Sequence, residues 1–262
     1  MSYSEINSNV ITFTKGKLEV KIYPNREEMG KEAAKNVSDT IQKQLQQHDE
    51  INMIFAAAPS QSDFMKELIS DKFIQWERIN AFHMDEYIGL EKDAPQGFGN
   101  FLKDRIFSKV PFKSVHYING QADDPMKECE RYSDLMNQYP VDIVCLGIGE
   151  NGHIAFNDPP VADFNDPLLV KVVELEMACR QQQVNEKLFA SIELVPTHAI
   201  TVTIPGLLKA KYMFCMVPAK NKAEAIYHTL NDEISEKCPA TILRTKEDTI
   251  LYLDEESSSL LN

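Results

Sequence analysis

Short apolar runs of strand length alternate along this chain with stretches of helical periodicity, and that alternation restricts the fold more than any other feature. Ile51-Asn52-Met53-Ile54-Phe55-Ala56-Ala57 and Val141-Asp142-Ile143-Val144-Cys145-Leu146-Gly147 read as strands buried on both faces, the pattern of a parallel sheet. Ahead of the first, Met29, Ala33, Val37, Ile41 and Leu45 recur every four positions and mark one apolar face of a long helix that ends near Gln46-Gln47-His48-Asp49. A Pro/Ser turn and a helical stretch over 62–69 follow it, then a strand over 79–84 and helices over 98–107 and 125–137. Further strands are expected over 169–175, 199–204, 212–217 and 249–253, with helices over 221–230 and 239–243. Such alternation predicts an α/β fold with a doubly wound, largely parallel sheet covered by helices on both faces.

No repeat, low-complexity segment or Gly/Ser linker divides the 262 residues, so one domain over 1–262 is expected. The Pro-rich stretch over 158–167 is read as a loop inside it, and 254–262 as a frayed tail. With 27 basic against 40 acidic side chains, the net charge of −13 repels a phosphate backbone, which argues against nucleic acid. A small anionic ligand would need a local cluster of donors or cations. Five scattered cysteines without a C-x-x-C pair fit a reducing cytoplasm. Met1-Ser2-Tyr3-Ser4-Glu5 lacks the basic and apolar regions of a signal peptide, and no run approaches a membrane span, so no membrane partner is expected. A homo-oligomer is compatible with the sequence, which does not decide the point.

In open α/β sheets, ligands bind beyond the carboxyl ends of the strands. Three polar stretches lie there: Ala58-Pro59-Ser60-Gln61-Ser62, Phe82-His83-Met84-Asp85-Glu86-Tyr87, and Gly149-Glu150-Asn151-Gly152-His153 running on to Asp158. Asp85 follows an apolar run and precedes Tyr87-Ile88-Gly89-Leu90, so partial desolvation would raise its pKa and suit it to general-base work. His153 sits in a loop whose glycines allow close backbone approach to a ligand, with Asp158 five residues on. Gly147, Gly149 and Gly152 meet the G-x-G-x-x-G spacing, but a proline loop follows where a dinucleotide-binding helix should run. No metal is expected, since there is neither an H-E-x-x-H motif nor a Cys/His cluster.

The blocks Phe82 to Leu90 and Gly147 to Asn157, supported by Val195-Pro196-Thr197-His198-Ala199-Ile200-Thr201-Val202 and Asn221-Lys222-Ala223-Glu224-Ala225, resemble the glucosamine-6-phosphate deaminase/isomerase family in the same order. The resemblance implies a Rossmann-like fold and a reaction that opens an amino-sugar ring, moves a proton from C2 to C1 and releases ammonia, without metal or organic cofactor. It implies that Asp85 is the proton-shuttling base, His153 the ring-opening group and Lys222 a phosphate contact. Asn151 stands where the family usually has aspartate and Asp158 where it usually has glutamate, so His153 is expected to lean on Asp158, one methylene too short to reach it without loop movement. Ser60, Gln61 and Ser62 replace a Gly-Gly-Thr phosphate loop, and Ser60 with Asp63 forms an S-x-x-D capping pattern that would compete with an anion. Glu86 and Gly152 are further substrate-contact candidates, and Arg180 and Lys187 are the nearest candidates for a second phosphate cation.

Three functions are therefore weighed: an isomerase/deaminase acting on a hexosamine 6-phosphate, a 6-phosphogluconolactonase-like hydrolase, and a sugar-phosphate-binding regulator without turnover. Ile154-Ala155-Phe156-Asn157 after Gly152-His153 departs from the lactonases' Ser-Leu-Phe continuation and favours the first.

Overall fold

The computed structural model describes residues 10–261; the N-terminal stretch Met1 to Glu5 lies outside them. An eight-stranded sheet forms the centre, and its strands are β1 (Ile11–Lys15), β2 (Leu18–Tyr23), β3 (Ile51–Phe55), β4 (Ile79–His83), β6 (Ser114–His116), β7 (Ile143–Leu146), β10 (Tyr212–Val217) and β11 (Thr249–Asp254). Their spatial order is β1-β2-β11-β10-β7-β3-β4-β6, with every neighbouring pair parallel except the β1–β2 hairpin. From β3 the chain winds outward through β4 and β6, then returns to β7 on the other side of β3. The β3–β7 junction is thus the topological switch point, where a crevice opens beyond the strand ends.

Alternate side chains of each central strand enter different apolar clusters. Phe55, Cys145 and Met216 pack on one side with Met29, Val37, Ile41 and Phe64, whereas Ile54, Val144 and Cys215 pack on the other with Tyr132, Met136 and Ile226. These partners come from α1 (Arg26–Leu45) and α2 (Ser62–Ser70) on the first side, and from α4 (Pro125–Gln138) and α7 (Ala223–Asn231) on the second. The expected four-residue apolar stripe is the buried face of α1, whose start is fixed by Asn25 accepting the Glu28 N–H at 2.9 Å. The Asp124 carboxylate accepts the N–H groups of Met126 and Lys127 at the start of α4, and Pro125 supplies a preset first turn. No described helix is long and apolar enough to cross a membrane.

The strands expected over 169–175 and 199–204 form, but outside the central sheet. β8 (Val170–Glu174) and β9 (His198–Val202) join β5 (Asp85–Tyr87) in a separate antiparallel sheet of order β5-β9-β8. Lys171 and Glu174 interrupt the apolar character of β8, which gives a half-exposed strand suited to antiparallel pairing, unlike the fully buried β3 and β7. The β1–β2 hairpin is an addition to the sequence reading. Its signal is the alternation in Leu18-Glu19-Val20-Lys21-Ile22 after Gly16, which turns at φ +61°. The tail beyond Asp254 does not fray. Asp254 accepts the Ser257 N–H at 2.8 Å and the Ala219 N–H at 3.1 Å, and Ser257 and Ser258 are buried. That carboxylate therefore ties the tail to the turn that follows β10.

Candidate active site

The crevice at the switch point is lined by the ends of β3, β4, β7 and β10, with Ser60, Asp85, Gly149, His153 and Lys222 among its walls. It has about 580 Å³ of empty space, including its open mouth. Asp85, His153 and Lys222, far apart in sequence, thus share one cleft.

Asp85 begins β5, directly after β4 has ended, and is only 5% exposed. Burial pushes its pKa well above the usual aspartate value, and the neighbouring Glu86 adds to the rise. Its backbone is held by His83, whose Nδ1–H donates to the Asp85 carbonyl at 2.9 Å while Nε2 accepts the Ile118 N–H at 2.9 Å. Those partners fix a neutral tautomer and leave neither ring nitrogen for a metal or substrate. Burial lowers the pKa of His83 to about 4, against weaker opposing effects of its bond to Asp85 and of Glu128. Because the unfolded chain protonates this histidine near 6.5 and the folded chain only near 4, its contribution to stability is present above pH 6.5 and is lost as pH falls toward 4. The stability gap between the native protein and His83→Gln is expected to narrow by about 3 kcal/mol between pH 7 and pH 4. Urea unfolding across that range checks it, and a constant gap would refute it.

Glu86 faces away from this cleft. Strand alternation sends it to the opposite side, where its carboxylate accepts the N–H groups of Tyr87, Phe98 and Gly99 at 2.8–3.0 Å and borders a separate cavity with Tyr117 and Lys103. Its expected substrate contact is replaced by a role in anchoring the segment that follows β5.

The loop after β7 folds back on itself, with the Gly149 N–H donating to the His153 carbonyl and the Gly152 N–H to the Gly149 carbonyl. No helix follows Gly152, which removes the dinucleotide reading. Gly152 has φ +82°, and a Cβ there would meet Cys238 Sγ at 2.5 Å. A Cβ on Gly149 would run into the His153 imidazole. Gly149→Ala is therefore expected to displace the ring and lower turnover by about 10²-fold, the order of loss caused by an ångström of misplacement. Steady-state kinetics alongside a melting curve distinguish this from unfolding.

Asp158 does reach His153. Its Oδ1 lies 2.8 Å from Nδ1, off the ring's N–H axis, without any loop movement. The shorter side chain suffices because residues 154–158 form a tight turn, in which Asn157 Nδ2 donates to the carbonyls of Ile154 and Val202. Burial pushes the Asp158 pKa up, but the nearby His153, a hydrogen bond from Asn151 and the Glu176 N–H outweigh it and hold the carboxyl below its usual range. Asn151 is a hub: its Oδ1 accepts the His153 N–H at 3.1 Å, and its Nδ2 donates to Asp158 at 3.0 Å and to Glu176 at 2.7 Å. The amide therefore orients the pair through both partners while carrying no charge.

Ser60 lines the cleft, but Ser62 does not, and Gln61 is buried with its Nε2 bonded to the Met216 carbonyl at 3.0 Å. The S-x-x-D cap is not made. No side chain caps α2, and Asp63 instead pairs with Arg26 at 2.6 Å across the α1–α2 contact. Arg180 and Lys187 stand outside the cleft. The guanidinium donates to the carbonyls of Ile192 and Val195, and Lys187 is exposed with φ +62°. In their place the helix α5 (Met177–Asn185) and the residue after it bring Gln182, Gln183 and Glu186 onto the cleft wall. The signal was in the sequence: 182, 183 and 186 share one helical face.

Among the described residues, ligand atoms of His153, Asp158 and Cys179 lie within 4.8 Å of one another, a cluster invisible to sequence spacing. Burial and the adjacent Asp158 drive the Cys179 pKa well up.

Comparison with known proteins points to one family. Residues 24–252 match the model of the family described as glucosamine-6-phosphate isomerases/6-phosphogluconolactonase. A glucosamine-6-phosphate deaminase of Bacillus cereus (strain B4264) is 39% identical over 183 residues, which cover 70% of this chain and 68% of that one. One from Listeria innocua is 34% identical over 212 residues, covering 81% and 88%. The solved structure of a monomeric glucosamine-6-phosphate deaminase superposes with a TM-score of 0.83 at 32% identity, covering 92% of this chain and 99% of its own. The 6-phosphogluconolactonase of Thermotoga maritima shares the fold at a TM-score of 0.71 and 22% identity, covering 90% and 98%. With its fold and its sequence both matched, this chain belongs to the glucosamine-6-phosphate isomerase/6-phosphogluconolactonase family.

Proposed function

We propose that the protein is an aldose-ketose isomerase and deaminase that converts a hexosamine 6-phosphate, glucosamine 6-phosphate or galactosamine 6-phosphate, to a ketohexose 6-phosphate and ammonia. The observation that carries this reading is that Asp85 and His153, the latter backed by the buried Asp158, line one cleft. His153, backed by the Asp158 carboxylate, moves the proton between the anomeric hydroxyl and the ring oxygen. Asp85 then takes the proton from C2 of the open chain and returns it to C1. Water replaces the nitrogen at C2, and ammonia leaves. A desolvated carboxylate is the stronger base for this transfer, and the ammonium of the substrate favours its ionised form. Lys222, buried beside the cleft, is the candidate for the phosphate. Five free, buried thiols suit a cytoplasmic enzyme.

The test is ammonia and ketose-phosphate formation from both hexosamine 6-phosphates, with 6-phosphogluconolactone in the same panel. Ammonia release supports the reading. Lactone hydrolysis without ammonia would replace it with the hydrolase, and tight calorimetric binding without any product would replace it with the regulator.

A further inference from the structure

Among the described residues, Lys222 is the one lysine or arginine on the cleft wall, and its partner is a carboxylate of the same chain. Nζ lies 3.6 Å from Glu186 Oε1, with the two side chains 6% and 19% exposed. Glu186 is not a wandering surface group. Its Oε1 also accepts from Gln182 Nε2 at 2.8 Å, Gln182 Oε1 accepts the Glu150 N–H at 2.9 Å, and Glu150 Oε1 accepts from Asn221 Nδ2 at 2.7 Å. The circuit closes because Asn221 precedes Lys222 in the turn after β10. It joins the cleft-covering α5, the His153 loop and the Lys222 turn.

A cation this buried needs an anion beside it. Here the protein supplies one. An incoming phosphate dianion would meet a lysine already neutralised and a carboxylate that repels it. We propose that Glu186 occupies, in the ligand-free protein, the place on Lys222 that the substrate's phosphate takes, and that this internal anion sets how tightly the anionic end of the substrate is held. The proposal rests on the sugar-phosphate reading of the cleft. Phosphate binds by displacing Glu186 from Lys222, so its apparent affinity is lowered by the fraction of molecules in which the internal pair is formed. Freed from Lys222, Glu186 also loosens the Gln182 link to Glu150, which couples phosphate arrival to the loop that carries His153.

The experiment is titration calorimetry of the full chain with inorganic phosphate, on the native protein, Glu186→Gln and Glu186→Gln combined with Lys222→Met. Glu186→Gln is expected to bind phosphate about tenfold more tightly than the native protein, the scale of a close charge pair removed from a binding site. The double variant is expected to lose that gain. The KM for glucosamine 6-phosphate should fall in the same direction. Should Glu186→Gln fold poorly, Glu186→Asp, which keeps the charge and withdraws it by one methylene, is expected to tighten binding by a smaller factor. Unchanged or weaker phosphate binding in the Glu186 variants, a gain that survives Lys222→Met, or no phosphate binding by any variant would overturn the proposal. Because phosphate binding is read without turnover, a tightening seen in a protein that releases no ammonia would sink the deaminase reading and leave this one standing.

Discussion

Asp85→Asn is expected to reduce ammonia release from glucosamine 6-phosphate by about 10³-fold, within the 10²–10⁴-fold range of a lost general base. The amide has the same shape, keeps the backbone clamp from His83 and cannot accept the C2 proton. Stability should move the other way. Burial and Glu86 raise the Asp85 pKa, so at neutral pH the folded state resists an ionisation that the unfolded chain undergoes freely. An aspartate with a raised folded pKa favours the native state at low pH and loses that advantage as pH climbs through the folded pKa. Asparagine has no such term, so the variant should melt at the same temperature as the native protein or higher. Inactivity with an undiminished melting temperature is the signature of a functional residue held against stability. The acid limb of kcat/KM in the native enzyme should correspondingly lie above the ordinary aspartate value of about 3.9. Turnover within tenfold of native in Asp85→Asn would remove the assigned role.

Asp158→Asn should be nearly as damaging, by about 10²–10³-fold, for a different reason. The buried carboxylate faces His153 Nδ1 at 2.8 Å and receives Asn151 and the Glu176 N–H as well. Replacing it removes the buried charge that faces the ring whenever His153 takes up a proton during the reaction. The Asp158 pKa is held down in the folded protein, so its support is present above the unfolded carboxylate pKa and is lost as pH falls through the folded one. Native and variant proteins should therefore converge in stability only in strongly acidic solution. Kinetics and denaturant unfolding on one preparation check both halves. Full activity in Asp158→Asn would show that Asn151 alone orients the histidine.

Glu86 shows where residue type alone misleads. Beside Asp85 in sequence it looks like a second site carboxylate, yet the two-residue period of a strand sends it to the other face, where three backbone N–H groups hold it. Arg180 on α5 and Lys187 just past its end show the same limit. Their charge suggested a phosphate site, while the face that meets the cleft carries Gln182, Gln183 and Glu186.

Local patterns by themselves determined the buried strands β3 and β7, the apolar stripe of α1 and the strand-end positions of Asp85 and His153, because period and burial are written in consecutive residues. Sequence motifs also determined the family. Tertiary structure alone decided that β8 and β9 leave the main sheet for an antiparallel one with β5, since strand pairing is a contact between distant segments. It alone set Glu186 against Lys222. That pair depends on where a helix and a separate loop end in space, and no spacing along the chain encodes an ångström-scale approach between groups that far apart.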